Sequence, residues 1–134
     1  MKNIITISRQ FGSGGREIGE KVAEKLGYKF YDKEIIEKLS EKTGLAKEFI
    51  RNAGEYAPSK SIFSYALIAR DRNGTSLTDY VYKVQRELIL ELADSEPCVI
   101  VGRCADYILK ERDDCFNAFI HGNMEVKKER VKKL

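Results

Sequence analysis

The chain begins with a run of β-branched residues, Asn3-Ile4-Ile5-Thr6-Ile7-Ser8, which stops at a glycine cluster, Gly12-Ser13-Gly14-Gly15. An apolar run of this length followed by flexible residues predicts a strand and then a loop. From Arg16 onward Ile18, Val22, Ala23 and Leu26 recur at helical spacing, and Gly27 stands where a helix would stop. Lys29-Phe30-Tyr31-Asp32 reads as a second short strand that delivers Asp32 at its end, and Ile35, Ile36 and Leu39 then mark one face of a helix closed by Thr43-Gly44. A short helix is expected over 47–53. A long one is expected over 76–93, where Leu77, Val81, Val84, Leu88 and Leu92 step by three and four, with Val84, Leu88 and Leu92 facing the core. Cys98-Val99-Ile100-Val101 is apolar throughout, the mark of a strand buried on both faces, and Gly102-Arg103 follows it. Helix resumes over 105–110, a fourth strand covers 116–120, and a final helix covers 124–134.

Strands alternating with helices predict an α/β fold, a three-layer arrangement in which a parallel sheet carries helices on both faces. Ligands of such sheets bind beyond the carboxyl ends of the strands. The glycine cluster through Arg16, Asp32 and Arg103 all fall at such ends. The whole chain, 1–134, reads as one domain, with about 46–74 as an insertion suited to lie over a ligand.

Composition narrows the partners. The 134 residues carry 24 Lys and Arg against 21 Asp and Glu, a net charge of +3, and are 43% hydrophobic and 34% charged. That balance excludes a disordered chain, and the mixed-sign helices offer no basic stripe with interleaved aromatics for nucleic acid. The basic residues from Lys127 to Lys133 read as a solvated helix face. No apolar run approaches the roughly 18 residues of a membrane span, and none resembles a signal peptide, so no membrane partner and a cytoplasmic location are expected. Cys98, Cys104 and Cys115 include no C-x-x-C pair and read as reduced, packed thiols. With a single histidine, His121, no protein metal site is expected.

A glycine loop between a buried strand and a helix lets successive backbone N–H groups turn inward, where they and the helix dipole hold an anion such as phosphate. The same cluster also serves as a tight turn with no ligand. Neither G-x-x-x-x-G-K-[ST] nor G-x-G-x-x-G is present in full, since Glu17 stands where the last glycine of the second would be.

Three segments together are more specific than the loop: Ile5 to Gly19, Phe30-Tyr31-Asp32, and Val99 to Leu109 with its Gly102-Arg103-Cys104-Ala105-Asp106 turn. They resemble the cytidylate kinase-like family over essentially the whole chain. The resemblance implies a P-loop NTPase-like fold and transfer of a phosphoryl group from ATP, with Mg²⁺, to a nucleoside monophosphate such as CMP. Aligned with a cytidylate kinase, Gly12, Ser13 and Gly14 fall on its phosphate loop, Gly15 on its lysine and Glu17 on its metal-binding hydroxyl. The two side chains most used in phosphoryl transfer are thus replaced.

Arg9 or Arg16 is the expected substitute cation, because guanidinium suits bidentate phosphate contact; a plain surface role for Arg16 is the alternative. The resemblance places Asp32 near acceptor or metal, where an N-cap of the following helix is the competing role. It places Arg103 on the acceptor phosphate, with Asp106 two positions beyond the family's acid. Ser13 is a candidate phosphate ligand, Tyr56, Tyr65, Tyr80 and Tyr82 are base-pocket or packing residues, and Arg130 is the late arginine left to approach a phosphate. The family's lid and fifth strand would lie after Leu134, implying either a fragment or a naturally short chain. An open sheet edge would then give a reason for homo-oligomerisation. A nucleotide-binding module without turnover is the alternative function.

Overall fold

The computed structural model describes residues 3–53 and 77–133. Most of the expected insertion, with Tyr56 and Tyr65, lies outside the described residues. The element order is β1 (Ile4–Arg9), α1 (Gly15–Leu26), β2 (Lys29–Tyr31), α2 (Lys33–Thr43), α3 (Lys47–Ala53), α4 (Leu77–Ser95), β3 (Cys98–Val101), α5 (Ala105–Ile108), β4 (Cys115–Ile120) and α6 (Met124–Lys132). The four strands form one all-parallel sheet in the order β2-β3-β1-β4. This is the α/β architecture expected from the alternation of elements.

The sheet separates two apolar clusters, as a two-faced parallel sheet must. Alternation along β3 sends Cys98 and Ile100 to one face, against Ile35, Leu39, Ile50, Val81 and Ile89 of α2, α3 and α4. It sends Val99 and Val101 to the other, against Ala23 of α1. All four β3 residues are buried, each apolar side chain contributing about 2 kcal/mol through removal from water.

The buried face of α1 is not the one its large residues mark. Gly15, Gly19 and Ala23 are buried, while Ile18 and Leu26 are exposed. A Cβ on Gly19 would stand 2.9 Å from Ile7 Cδ1 and 3.2 Å from Val101 Cγ2, so the helix lies too close to the sheet for anything larger. That close approach fixes the α1 N-terminus directly beyond the end of β1.

The α4 stripe is also rotated slightly. Leu88 and Leu92 are buried as expected, but Val81 and Gln85 are fully buried beside them and Val84, expected in the core, is only partly covered.

β1 lies between β3 and β4, with Ile7 opposite Val101 and Arg9 opposite Ile120. The loop after β1 and the turns after β3 and β4 therefore emerge together at one edge. Among the described residues β4 has a strand on one side only, and Phe116 and Phe119 are exposed on it. No disulfide joins Cys98, Cys104 and Cys115. No described helix is long and apolar enough to cross a membrane.

Candidate functional site

The loop between β1 and α1 is shaped by its glycines. Gly12 has φ +78° and Gly14, the N-cap of α1, has φ +85°, backbone regions that L side chains enter only with strain. No side chain caps the first turn of α1, so its leading N–H groups keep their capacity for an acceptor. Ser13 sits between the two glycines with only 9% exposure, and its Oγ has no hydrogen-bond partner among the described residues. An unsatisfied buried hydroxyl costs roughly 1–3 kcal/mol. Such groups cluster where a ligand completes the bonding.

Gly15 explains why no lysine stands here. A Cβ at that position would lie 2.6 Å from Cβ of Arg9, whose stem covers the residue. The backbone around the loop is thus packed shut to a side chain at the place where the resemblance would have put one.

Asp32 closes β2 at the N-cap position of α2 but forms no side-chain cap; its carboxylate turns to Arg16, with Nε at 2.9 Å. Its backbone N–H donates instead to Glu34 Oε2 at 3.0 Å. Burial pushes the Asp32 carboxyl above the ordinary aspartate range, and the attraction of Arg9 and Arg16 offsets this only in part. Arg9, Arg16 and Asp32 thus form one electrostatic group on the β2 side of the loop.

The opposite side is covered by α6. A Cβ on Gly12 would stand 2.8 Å from the Lys127 carbonyl oxygen, and one on Gly14 would stand 2.9 Å from Cζ of Arg130. Arg130 Nη1 donates to Glu17 Oε2 at 3.0 Å, and both side chains are largely exposed. Lys127 Nζ donates to Gln10 Oε1 at 3.0 Å, and the Gly122 N–H reaches the same oxygen at 3.4 Å. Gln10 was not among the residues the sequence pointed to, and a polar residue leading into a glycine cluster gives no signal that would single it out.

Arg103 is not the open guanidinium expected at the end of β3. It is 3% exposed, with Nε donating to Gln85 Oε1 at 2.8 Å, Nη2 to the Ile50 carbonyl at 2.9 Å and Nη1 to the Arg51 carbonyl at 3.4 Å. Gln85 Nε2 donates in return to the Arg103 carbonyl at 2.6 Å. The burial of Arg103 has a backbone cause. Gly102, Arg103 and Cys104 all have positive φ, a left-handed turn that swings the side chain under α3 and α4. Arg103 therefore ties helices to the strand end. Asp106 is exposed in the first turn of α5 and forms no ion pair among the described residues. His121 is exposed and stacks on Phe119, with ring centroids 6.4 Å apart.

A family model described as the cytidylate kinase-like family matches residues 4–134. Among solved structures, the chain is similar to an uncharacterized protein from Eubacterium ventriosum ATCC 27560, with a TM-score of 0.61 and 28% identity. That likeness covers 97% of this chain and 60% of the other, so the chain spans about three fifths of its neighbour's length. No curated protein matches the sequence.

Proposed function

Because the chain belongs to the cytidylate kinase-like family, we propose that it takes part in phosphoryl transfer from ATP to a nucleoside monophosphate such as CMP, with the loop from Gly12 to Gly15 as the donor-phosphate cradle. The observation that carries the reading is Ser13, a buried hydroxyl without a partner among the described residues, held between two left-handed glycines at an uncapped helix N-terminus. A phosphate oxygen would satisfy that hydroxyl and the first-turn N–H groups at once.

Arg9 and Arg16 flank Asp32 on the β2 side, where two guanidinium groups can steady the transferred phosphoryl and the acceptor phosphate. An acceptor phosphate oxygen attacks the γ-phosphorus, the bond to the bridging oxygen breaks, and its electron pair leaves with ADP. Before the attack, Asp32 orients the incoming group through Arg16. Asp106 is an outer candidate on the acceptor side, and Arg103 acts indirectly by fixing α3 and α4. Asp32 and Ser13, hard oxygen donors, are the residues that would hold Mg²⁺ brought in with the phosphates. The metal would supply neutralisation of phosphate charge.

The replacements at Gly15 and Glu17 favour one second reading, a nucleotide-binding module without turnover. A coupled assay of ADP release with MgATP and CMP, UMP, AMP or GMP separates the two. ADP release that depends on one monophosphate, and that falls at least tenfold in the Arg9→Ala, Arg16→Ala double variant, is the expected result. Saturable ATP binding without ADP release under every monophosphate would leave only the module.

A further inference from the structure

The glycine loop has a cation poised on it that neither its own strand nor its own helix provides. The Arg130 guanidinium, from α6, rests where a Cβ of Gly14 would be, with Cζ, Nη1 and Nη2 within 2.9–3.1 Å of that point. Gly14 is the N-cap of α1, so a full positive charge lies against the positive end of a 12-residue helix. That arrangement is unfavourable unless an anion stands between or beside the two. The structure supplies such an anion from the chain itself: Glu17, in the first turn of α1, accepts from Arg130 Nη1 at 3.0 Å. The contact with Arg130, followed in effect by the charge of Lys21, holds the Glu17 carboxyl below the ordinary range.

Gly14 has no side chain to share a capping box with Glu17, the residue three positions on that would otherwise turn back to the N-cap N–H. Here no side chain caps α1, and Glu17 reaches outward across the loop to α6 instead. The buried Ser13 Oγ is left without a partner among the described residues, beside the same glycine. Two kinds of donor, an orphan hydroxyl and a guanidinium, thus stand at one helix N-terminus, and one exposed carboxylate at the rim satisfies only the second.

We propose that Arg130 is the phosphate-binding cation of the glycine loop, doing from α6 what a lysine at Gly15 has no room to do, and that Glu17 is an internal stand-in for the phosphate, displaced when a polyphosphate enters. The inference rests on the reading of the loop as a phosphate site. Glu17 is on this account a positioning residue and a competitor: it keeps Arg130 over Gly14 in the resting chain and lowers the apparent affinity for any anion that must replace it. Removing its charge makes binding tighter, which is the opposite of what loss of a ligand or of a merely structural contact does.

The test is titration of ATP and of inorganic tripolyphosphate, by calorimetry at fixed low ionic strength, into the wild-type chain and into Glu17→Gln, Arg130→Ala, Arg130→Lys and the Glu17→Gln, Arg130→Ala double variant. Both side chains are exposed, so the variants keep the fold, checked by their melting temperatures. Expected are a threefold to tenfold tighter binding of both probes in Glu17→Gln and at least tenfold weaker binding in Arg130→Ala. Arg130→Lys should recover part of the loss, and Glu17→Gln in the Arg130→Ala background should change affinity by less than twofold. Unchanged or weaker binding in Glu17→Gln, or an equal gain with and without Arg130, overturns the proposal while the loop remains a phosphate site. A wild-type chain that binds neither probe overturns the reading of the loop and the proposal with it.

Discussion

Asp32 shows how the site sets function against stability within a single residue. Its carboxylate is drawn out of water at the end of β2, and the ion pair with Arg16 does not fully repay that burial, so its pKa is raised. Between the ordinary aspartate value of 3.8 and the raised native one, the folded chain holds the proton more tightly than the unfolded chain, so Asp32 reduces stability as pH rises through that interval. Asp32→Asn should therefore melt no lower than the wild type at neutral pH, and its relative stability should improve as pH is raised out of the acidic range. Its ADP release with MgATP and a monophosphate should fall at least tenfold. Melting curves at acidic and neutral pH, run beside the coupled assay, check both halves; an Asp32→Asn variant that melts well below the wild type at neutral pH would show that the carboxylate is held for stability. The same residue marks a limit of legibility. A capping Asp and an arginine-paired Asp look identical in sequence, and only the fold, which brings Arg16 of α1 beside the end of β2, decides which way the carboxylate turns.

The elements themselves were legible where apolar spacing was strong. The four strands and most helix bounds follow from β-branched runs and from steps of three and four, and Cys98–Val101 declared its burial on both faces. What the pattern hid lies in the small and polar residues on buried faces. The contact face of α1 is Gly15, Gly19 and Ala23, because closeness to the sheet, not side-chain size, determines that packing. Gln85 interrupts the α4 stripe because it serves Arg103, and its spacing of four from both Val81 and Ile89 was the available signal. The resemblance implies an acceptor-phosphate role for Arg103, and a strand-end arginine in an α/β sheet ordinarily faces the crevice; the three consecutive residues of positive φ that turn it inward are not encoded in any periodicity. The Gln85–Arg103 pair joins β3, α3 and α4, and its worth is measurable. Gln85→Leu keeps the volume but strands a buried guanidinium N–H, a loss of about 3 kcal/mol, or roughly 10 °C in melting temperature for a chain of this size. A shift of only a degree or two would mean that the buried guanidinium finds another acceptor and that the tie is dispensable.

At the scale of the molecule, the strand order β2-β3-β1-β4 gathers segments far apart in sequence at one edge. The Gly12–Gly15 loop lies with the Arg9, Arg16 and Asp32 group on one side and with Lys127 and Arg130 of α6 on the other. The sequence identified the loop and the near-side residues. It offers Arg130 as a late arginine that could approach a phosphate but does not fix it over Gly14, because that contact depends on β4 lying next to β1 and on α6 covering Gly12 and Gly14. Every part of the functional account depends on that edge holding the phosphates of a nucleotide. The direct measurement is a titration of ATP with Mg²⁺ followed by amide proton and nitrogen resonances of the ¹⁵N-labelled chain. Saturable shifts are expected, largest at Gly12, Ser13, Gly14 and Gly15, with smaller ones in the first turns of α1 and α6. Unmoved loop amides, with ATP shifting residues elsewhere or none at all, would contradict it and reduce the glycine loop to a turn.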